Sequence, residues 1–407
     1  MAFPPLRAVE AAPVQHQGET FFCLTDPLGY VEQQVLLSPA AFFVAASLDG
    51  SRDYEAVRQE FVNQFGRDIL KEDDVQGIVD HLDQHGFLAT PRFEAIAEEA
   101  RRAFRETPVR QAHFAGRGYP GEPDQLREFL DGFFTAAEGP GVKPRSGSAG
   151  STPLRGVIVP HIDYHRGGGA YAHGYLRMVE AGAPDVVLVF GVAHAAPPHP
   201  FVLTRKDFET PLGVVKTDQA MVDALAEACA WDPFEHEIVH RTEHSIEFQA
   251  VMMAHVLGPD VRIVPVLCGS FVPSNGEGPD GVDRFMDACQ RLVRENDGRM
   301  SVVASADLAH VGKRFGDDLE ISDQVVEDVR RRDLEDLDHV LKGDALGFYQ
   351  AVMADDNARR VCGLQCIYAT LKSLEGAGAR GPAELVNYTY AHDPGGGIVS
   401  FGNIVLP

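Results

Sequence analysis

Val157-Ile158-Val159-Pro160-His161-Ile162-Asp163-Tyr164 is a short apolar run that ends in a proline and a histidine, then passes through a polar, aromatic loop to Gly167-Gly168-Gly169. A brief apolar stretch closed by such residues reads as a buried strand. His161 then sits at the carboxyl end of that strand, where open α/β sheets bind their ligands. Two later stretches repeat the pattern. Asp185-Val186-Val187-Leu188-Val189-Phe190-Gly191 leads to His194, and Ser301-Val302-Val303-Ala304-Ser305 leads to Asp307 and His310. Whether these strand ends converge decides what chemistry the chain can support.

Around this stretch, strand-like and helix-like patterns alternate from Leu154 onward. Strands are expected at 154–160, 185–190, 261–267, 301–305, 384–391 and 397–405. Helices are expected at 169–181, 218–230, 245–257, 281–296, 317–335 and 359–374. That alternation predicts an α/β domain with a largely internal sheet. The last two strands are close enough in sequence to pair as a hairpin, which makes the sheet mixed.

Residues 1–105 read as a separate small α+β domain and 106–407 as the second, since 407 residues exceed one average domain. After a short extended start come helical patterns at 39–48, at 53–65 with Ser51 as N-cap, and at 72–86. This is a winged-helix-like plan. The charged helix Glu94 to Arg105 reads as a link between the domains, and Asp124 to Ala137 as an amphipathic helix opening the second. The Gly-, Pro- and Ser-rich stretch 138–152 reads as a flexible surface loop. Leu48-Asp49-Gly50, Phe61 to Gly66 and His81-Leu82 to Gly86-Phe87-Leu88 resemble PqqD-like peptide-recognition domains. That resemblance implies a peptide ligand for the N-terminal domain; a packing or docking module is the plainer alternative.

The net charge is −24, from 36 basic and 60 acidic residues. Nucleic acid and anionic membrane both require a positive surface, so neither is expected as a partner. No apolar run reaches the ~18 residues of a membrane span. The start, Met1 to Arg7, lacks a signal-peptide pattern. The six cysteines are scattered, which suits a reducing compartment. The expected location is cytoplasmic.

Ten of the sixteen histidines fall between His161 and His310. Imidazole is both the commonest metal ligand and the usual acid/base near neutral pH. His173 and His255 lie within helical stripes and read as packing residues, whereas His161 and His194 follow strands. Glu243-His244-Ser245-Ile246-Glu247 begins a helix, where the dipole disfavours charge on His244. The same segment can be read as a capped helix with solvated acids. His240-Arg241-Thr242-Glu243-His244 also matches the H-x-x-E-H pattern of zinc peptidases. In Cys362-Gly363-Leu364-Gln365-Cys366 the first cysteine is expected at a helix start, which favours its thiolate.

Several of these segments together resemble one family. Pro160-His161 with Tyr164, Gly191-Val192-Ala193-His194, Glu243 to Glu247, Pro265-Val266-Leu267, Ser305 to His310 with Gly312, and Val361-Cys362-Gly363 occur in the order of the Memo family, known also as AmmeMemoRadiSam system protein B. His113, Gly116 and Tyr119 resemble its opening segment. The family is similar to the LigB-like class III extradiol dioxygenases, which implies a three-layer α/β domain with a central mixed sheet. By resemblance, His161, His194 and Cys362 are the metal ligands, and His244, Asp307 and His310 line the same pocket. Cys362 stands where the dioxygenases have a carboxylate, and Ala193-His194-Ala195 replaces a Ser-His-His run.

The resemblance implies a metal-binding redox or oxygen-dependent enzyme, with iron or copper, or else zinc, as cofactor. An alternative is a non-catalytic binding protein that serves a radical-SAM protein and an AMMECR1-like protein. The zinc peptidase is a third.

Overall fold

A computed structural model describes residues 2–407 apart from 17, 68, 145–151, 259, 274–280 and 379–380. Residues 145–151 of the stretch expected as a flexible loop, 138–152, therefore lie outside the described residues. The chain divides into two compact units, Met1–Thr107 and Pro108–Pro407.

The first unit holds an antiparallel sheet of β1 (Glu10–His16), β2 (Glu19–Thr25) and β3 (Val35–Leu37). Four helices accompany it: α1 (Pro39–Ser47), α2 (Tyr54–Phe65), α3 (Glu72–Gln84) and α4 (Pro91–Glu106). The expected Ser51 cap is replaced by Asp53, whose carboxylate accepts the Ala56 N–H at 3.1 Å. Ser51 instead bonds Asp49 in the preceding turn. Helix α4, expected as a link, falls within the first unit. Leu24, Val44, Val57, Val75, Leu82 and Phe87 form the centre of the core.

The second unit begins with β4 (Val109–Arg110), α5 (Pro123–Thr135), β5 (Gly156–Val159), α6 (Tyr164–Ala181) and β6 (Val186–Val192). Three strands follow that periodicity does not reveal: β7 (Phe201–Leu203), β8 (Asp207–Thr210) and β9 (Gly213–Thr217). Next come α7 (Gln219–Ala226), α8 (His244–Val256), β10 (Arg262–Cys268), α9 (Val282–Glu295), β11 (Met300–Ser305) and β12 (His310–Gly312). The unit closes with α10 (Asp323–Leu341), α11 (Ala345–Met353), α12 (Leu364–Leu374), β13 (Glu384–Asp393) and β14 (Gly397–Leu406).

These strands form one mixed sheet in the order β12-β14-β5-β11-β6-β10-β9-β8-β4, with β13 on β14 and β7 on β10. Its centre is parallel, because β5, β11, β6 and β10 pair in the same direction. The hairpin of β13 and β14 joins antiparallel to β5.

Successive strand side chains face opposite sides of a sheet. Leu188, Phe190, Val302 and Ala304 therefore meet α7, α9, α11 and α12 on one face. Helices α5, α6 and α8 pack together on the other. Burial on both faces explains why the central strands are continuous apolar runs rather than alternating ones. The result is a three-layer α/β domain.

The helix expected from residue 169 begins earlier: α6 starts at Tyr164 behind the Asp163 N-cap and takes in Gly167 and Gly168, expected in the loop before it. A Cβ on Gly168 would come within 2.4 Å of the Phe133 ring, so the missing side chain is what lets α5 lie against α6.

Candidate metal centre

β5, β11 and β6 are neighbours and run parallel. Each carries a polar residue two positions past its last strand residue: His161 after Val159, Asp307 after Ser305 and His194 after Val192. Equal offsets on adjacent parallel strands place the three side chains at one edge of the sheet. Cys362 arrives from the loop before α12. Gly363 makes that approach possible: a Cβ there would lie 2.5 Å from the Ala306 Cβ and 2.6 Å from the Asp307 carbonyl. Its N–H donates to the same carbonyl at 3.0 Å.

One ligand atom from each of His161, His194 and Cys362 lies within 4.8 Å of the others. Asp307, His310 and Cys362 meet the same criterion, as do His194, Glu243 and His244. All six side chains expected at the site, His161, His194, His244, Asp307, His310 and Cys362, are thus brought together across 201 positions of sequence.

The hydrogen bonds orient the rings. His161 Nδ1 lies 2.9 Å from the Ser305 carbonyl, which can only accept, so Nδ1 carries the proton and Nε2 presents its lone pair. That Nε2 is 3.3 Å from Cys362 Sγ and 3.6 Å from Asp307 Oδ2. Asp307 also accepts the His161 backbone N–H at 3.0 Å. His194 Nδ1 lies 3.0 Å from Glu243 Oε1, which leaves its Nε2 free to face the others. His310 Nδ1 donates to the Leu308 and Arg360 carbonyls at 3.1 and 3.2 Å, so its Nε2 is an acceptor. The His194 and His244 rings stack at 4.7 Å.

Charge is unevenly held. Burial opposes ionisation of Glu243, yet its ion pair and hydrogen bond with His194 keep its pKa well below the usual carboxylate range. Enclosure by protein lowers the pKa of His194, but Glu243 and the Cys362 hydrogen bond override it and raise the pKa to about 9. The ring still opens 41% of its side-chain surface to the cavity. His244 goes the other way: burial pushes it down to about 3 despite Glu243, so it is neutral at neutral pH. Burial lifts the Cys362 thiol to about 11, against the pull of His194. This corrects the thiolate expected from a helix dipole. Cys362 precedes the Gly363 N-cap, outside the helix, and desolvation outweighs the dipole.

His161, His194, His244, Asp307 and His310 line a cavity of about 570 Å³, with Cys362 and Glu243 behind them. Phe114, Phe248, Phe315 and Val399 supply apolar wall, and Arg117, Arg166 and Arg314 supply guanidinium groups. The Phe114–Gly118 wall is anchored by a buried network. Glu247 accepts the backbone N–H groups of His113 and Phe114 at 3.1 and 2.8 Å, together with the Tyr119 hydroxyl and Arg110. Arg110 also donates to the carbonyls of His240, Gln111 and Glu243, each at 2.9 Å.

Glu243 and Glu247 are therefore buried partners, not solvated acids. In the sequence Glu243 stands out only as the residue before His244 at a helix start; its separation of 49 residues from His194 conceals the contact between them. The H-x-x-E-H reading is also corrected. His240 ends in a 3-10 turn, Glu237–Arg241, and α8 begins only at His244. His240 Nε2 bonds the Val202 carbonyl at 3.1 Å, and His240 joins none of the metal-competent groups among the described residues. Tyr164 is buried behind the site, with its hydroxyl on the Phe248 carbonyl. His255 bonds Asp131 at 2.9 Å, away from the cavity.

Fold and side chains together define a three-layer α/β protein with a His/His/Cys cluster at the carboxyl ends of its parallel strands. The chain belongs to the Memo-like protein family, whose description matches residues 110–401. It is similar to a MEMO1 family protein of Aquifex aeolicus, 25% identical over 386 residues, covering 95% of this chain and 96% of the relative. That alignment reaches into the N-terminal unit. It is also similar to MEMO1 family proteins of Desulfurococcus amylolyticus (28% identical, 69% of this chain and 92% of the relative) and Thermus thermophilus (27%, 79% and 90%). Among the described residues no helix is long and apolar enough to cross a membrane.

Proposed function

We propose that this chain is a metal-dependent redox enzyme whose ion is held by His161, His194 and Cys362. One observation carries the reading: the three ligand atoms lie within 4.8 Å of one another, while each histidine already has its Nδ1 engaged by a fixed acceptor. Histidines that ligate metals are typically held in this way, which fixes tautomer and ring direction.

The donors fit the proposed group. Two imidazoles and a sulfur suit iron, copper or zinc and serve magnesium or calcium poorly. Iron or copper is favoured, because either supplies a redox-active centre with coordination positions left for small molecules. The thiol that replaces the dioxygenase carboxylate is softer and itself oxidisable, which sets the site apart from a ring-cleaving centre.

The protein's own groups then have defined tasks. Cys362 and His194, both protonated near neutral pH in the metal-free chain, would each release a proton to solvent on becoming ligands. Asp307 holds the His161 backbone and stands beside its Nε2. His310, with Nε2 available, accepts a proton from a molecule in the cavity. His244, kept neutral, offers a second uncharged imidazole. The phenylalanine wall excludes water from one side.

Metal analysis of untagged protein tests the reading. About one iron or copper per chain is expected in the wild type, with a sharp loss in His161→Ala, His194→Ala and Cys362→Ala. One iron or copper per chain retained in the triple variant refutes it. No metal in the wild type together with tight peptide binding would instead favour the adaptor that serves a radical-SAM protein.

A further inference from the structure

A second cluster of metal-ligating side chains lies outside the lining of the cavity. His199, Glu235 and His236 each offer a ligand atom within 4.8 Å of the other two. His199 belongs to the loop between β6 and β7, the loop that also carries His194. Glu235 and His236 belong to the turn that leads through Glu237–Arg241 into α8, which is capped by Glu243 and begins at His244.

We propose that His199, Glu235 and His236 form a structural zinc site that clips these two segments together. The donor set supports zinc: two imidazole nitrogens and one carboxylate oxygen are ordinary zinc ligands, with solvent free to fill a fourth position. The spacing supports it too. Tetrahedral zinc with bonds of about 2.0–2.2 Å holds its ligands about 3.4 Å apart. His199 Nε2 and Glu235 Oε2 are 2.8 Å apart, and the His199 and His236 ring centres 5.2 Å. Small side-chain rotations therefore suffice.

The backbone around the cluster is already organised. The Trp231 indole stacks on His199 at 6.1 Å and donates to the Phe201 carbonyl at 3.0 Å, which fixes one face of the ring. The Glu237 and Val239 N–H groups donate to Phe234 and His236, both at 3.0 Å, so the turn is formed. Gly269 donates to the Pro200 carbonyl at 2.9 Å and ties the loop to β10. Glu235 is 58% exposed and His199 22%, so an ion can enter from solvent.

The two segments joined by the clip are the ones that deliver His194 on one side and Glu243 and His244 on the other. A bound ion would thus hold the His194–Glu243 pair in register without touching it. This role is independent of the chemistry proposed for the cavity.

The test is a zinc titration of untagged, metal-stripped full-length protein carrying His161→Ala, His194→Ala and Cys362→Ala, which removes the three ligands proposed for the cavity. One zinc per chain is expected, with a rise in melting temperature on binding. Adding Glu235→Gln or His236→Ala to that background should weaken zinc binding at least about tenfold. Glu235→Gln alters an exposed side chain and leaves the fold intact. No zinc uptake by the cavity-deleted protein, or unchanged affinity in both added variants, overturns the proposal.

Discussion

Replacing Glu247 with Gln removes the only carboxylate beside Arg110 among the described residues while leaving the side chain's shape in place. Both side chains have no solvent exposure. Arg110 keeps its three carbonyl acceptors, but its charge loses its counter-ion. Breaking a buried ion pair on one side costs about 3–5 kcal/mol, since the remaining charge is stranded in a medium that cannot solvate it. The upper half of that range is expected, because Gln must also meet two backbone N–H groups and the Tyr119 hydroxyl with a single acceptor.

The unit that contains the pair spans Pro108–Pro407, about 300 residues. At about 2.1 cal/mol/K per residue its unfolding entropy is about 0.6 kcal/mol/K, so the loss lowers the melting midpoint by about 6–8 °C. Differential scanning calorimetry on the wild type and Glu247→Gln measures this directly. The double variant Arg110→Met, Glu247→Leu removes both charges and should recover much of the loss. A single-variant shift below about 2 °C, or a double variant no better than the single one, would refute the reasoning.

Glu243→Gln should weaken iron or copper binding by about 10–100-fold, because His194 loses the carboxylate that aims its ring; equilibrium dialysis reads the change. Gly363→Ala should also lower metal content, since its Cβ would collide with Ala306 and displace Cys362, whereas Gly132→Ala, in helix α5 with open space for a Cβ, should leave metal content intact. His240 offers a pH test. Burial depresses its folded pKa to about 3 from 6.5, so the unfolded chain binds a proton that the folded chain refuses between those values. Its contribution is present above pH 6.5 and is lost as pH falls toward 3, about 3 kcal/mol by pH 4. Denaturant titrations at pH 7 and pH 4 should show that difference shrinking in His240→Gln, and an unchanged difference would count against the assignment.

What could be read in advance was what depends on neighbours in sequence. Val157–Val159, Val186–Phe190 and Ser301–Ser305 announced themselves as strands because burial on both faces requires an unbroken apolar run. The amphipathic and capped segments announced most helices. Short strands escaped: Phe201–Leu203 and Asp207–Thr210 have three and four residues, too few for a period to emerge. Gly167 and Gly168 read as loop because the intrinsic preference of glycine is for turns; close packing against Ile162 and Phe133 overrides that preference.

The site divides along the same line. Its residue types, and the position of His161 and His194 after strands, were legible in the chain. The strand order β5-β11-β6, which sets Asp307 between the two histidines, depends on pairings more than 100 residues apart and existed only in the fold. So did most of the protonation of the groups. Cys362 reads as a thiolate from its local setting and is a neutral thiol in the folded chain; the helix start already disfavours charge on His244, which burial carries down to about 3, whereas nothing next to His194 in the chain announces the Glu243 partner that raises it to about 9. Local sequence selects the side chains, whereas burial and the placement of Glu243 determine their charge, because desolvation and Coulomb energy depend on distances that only tertiary structure sets.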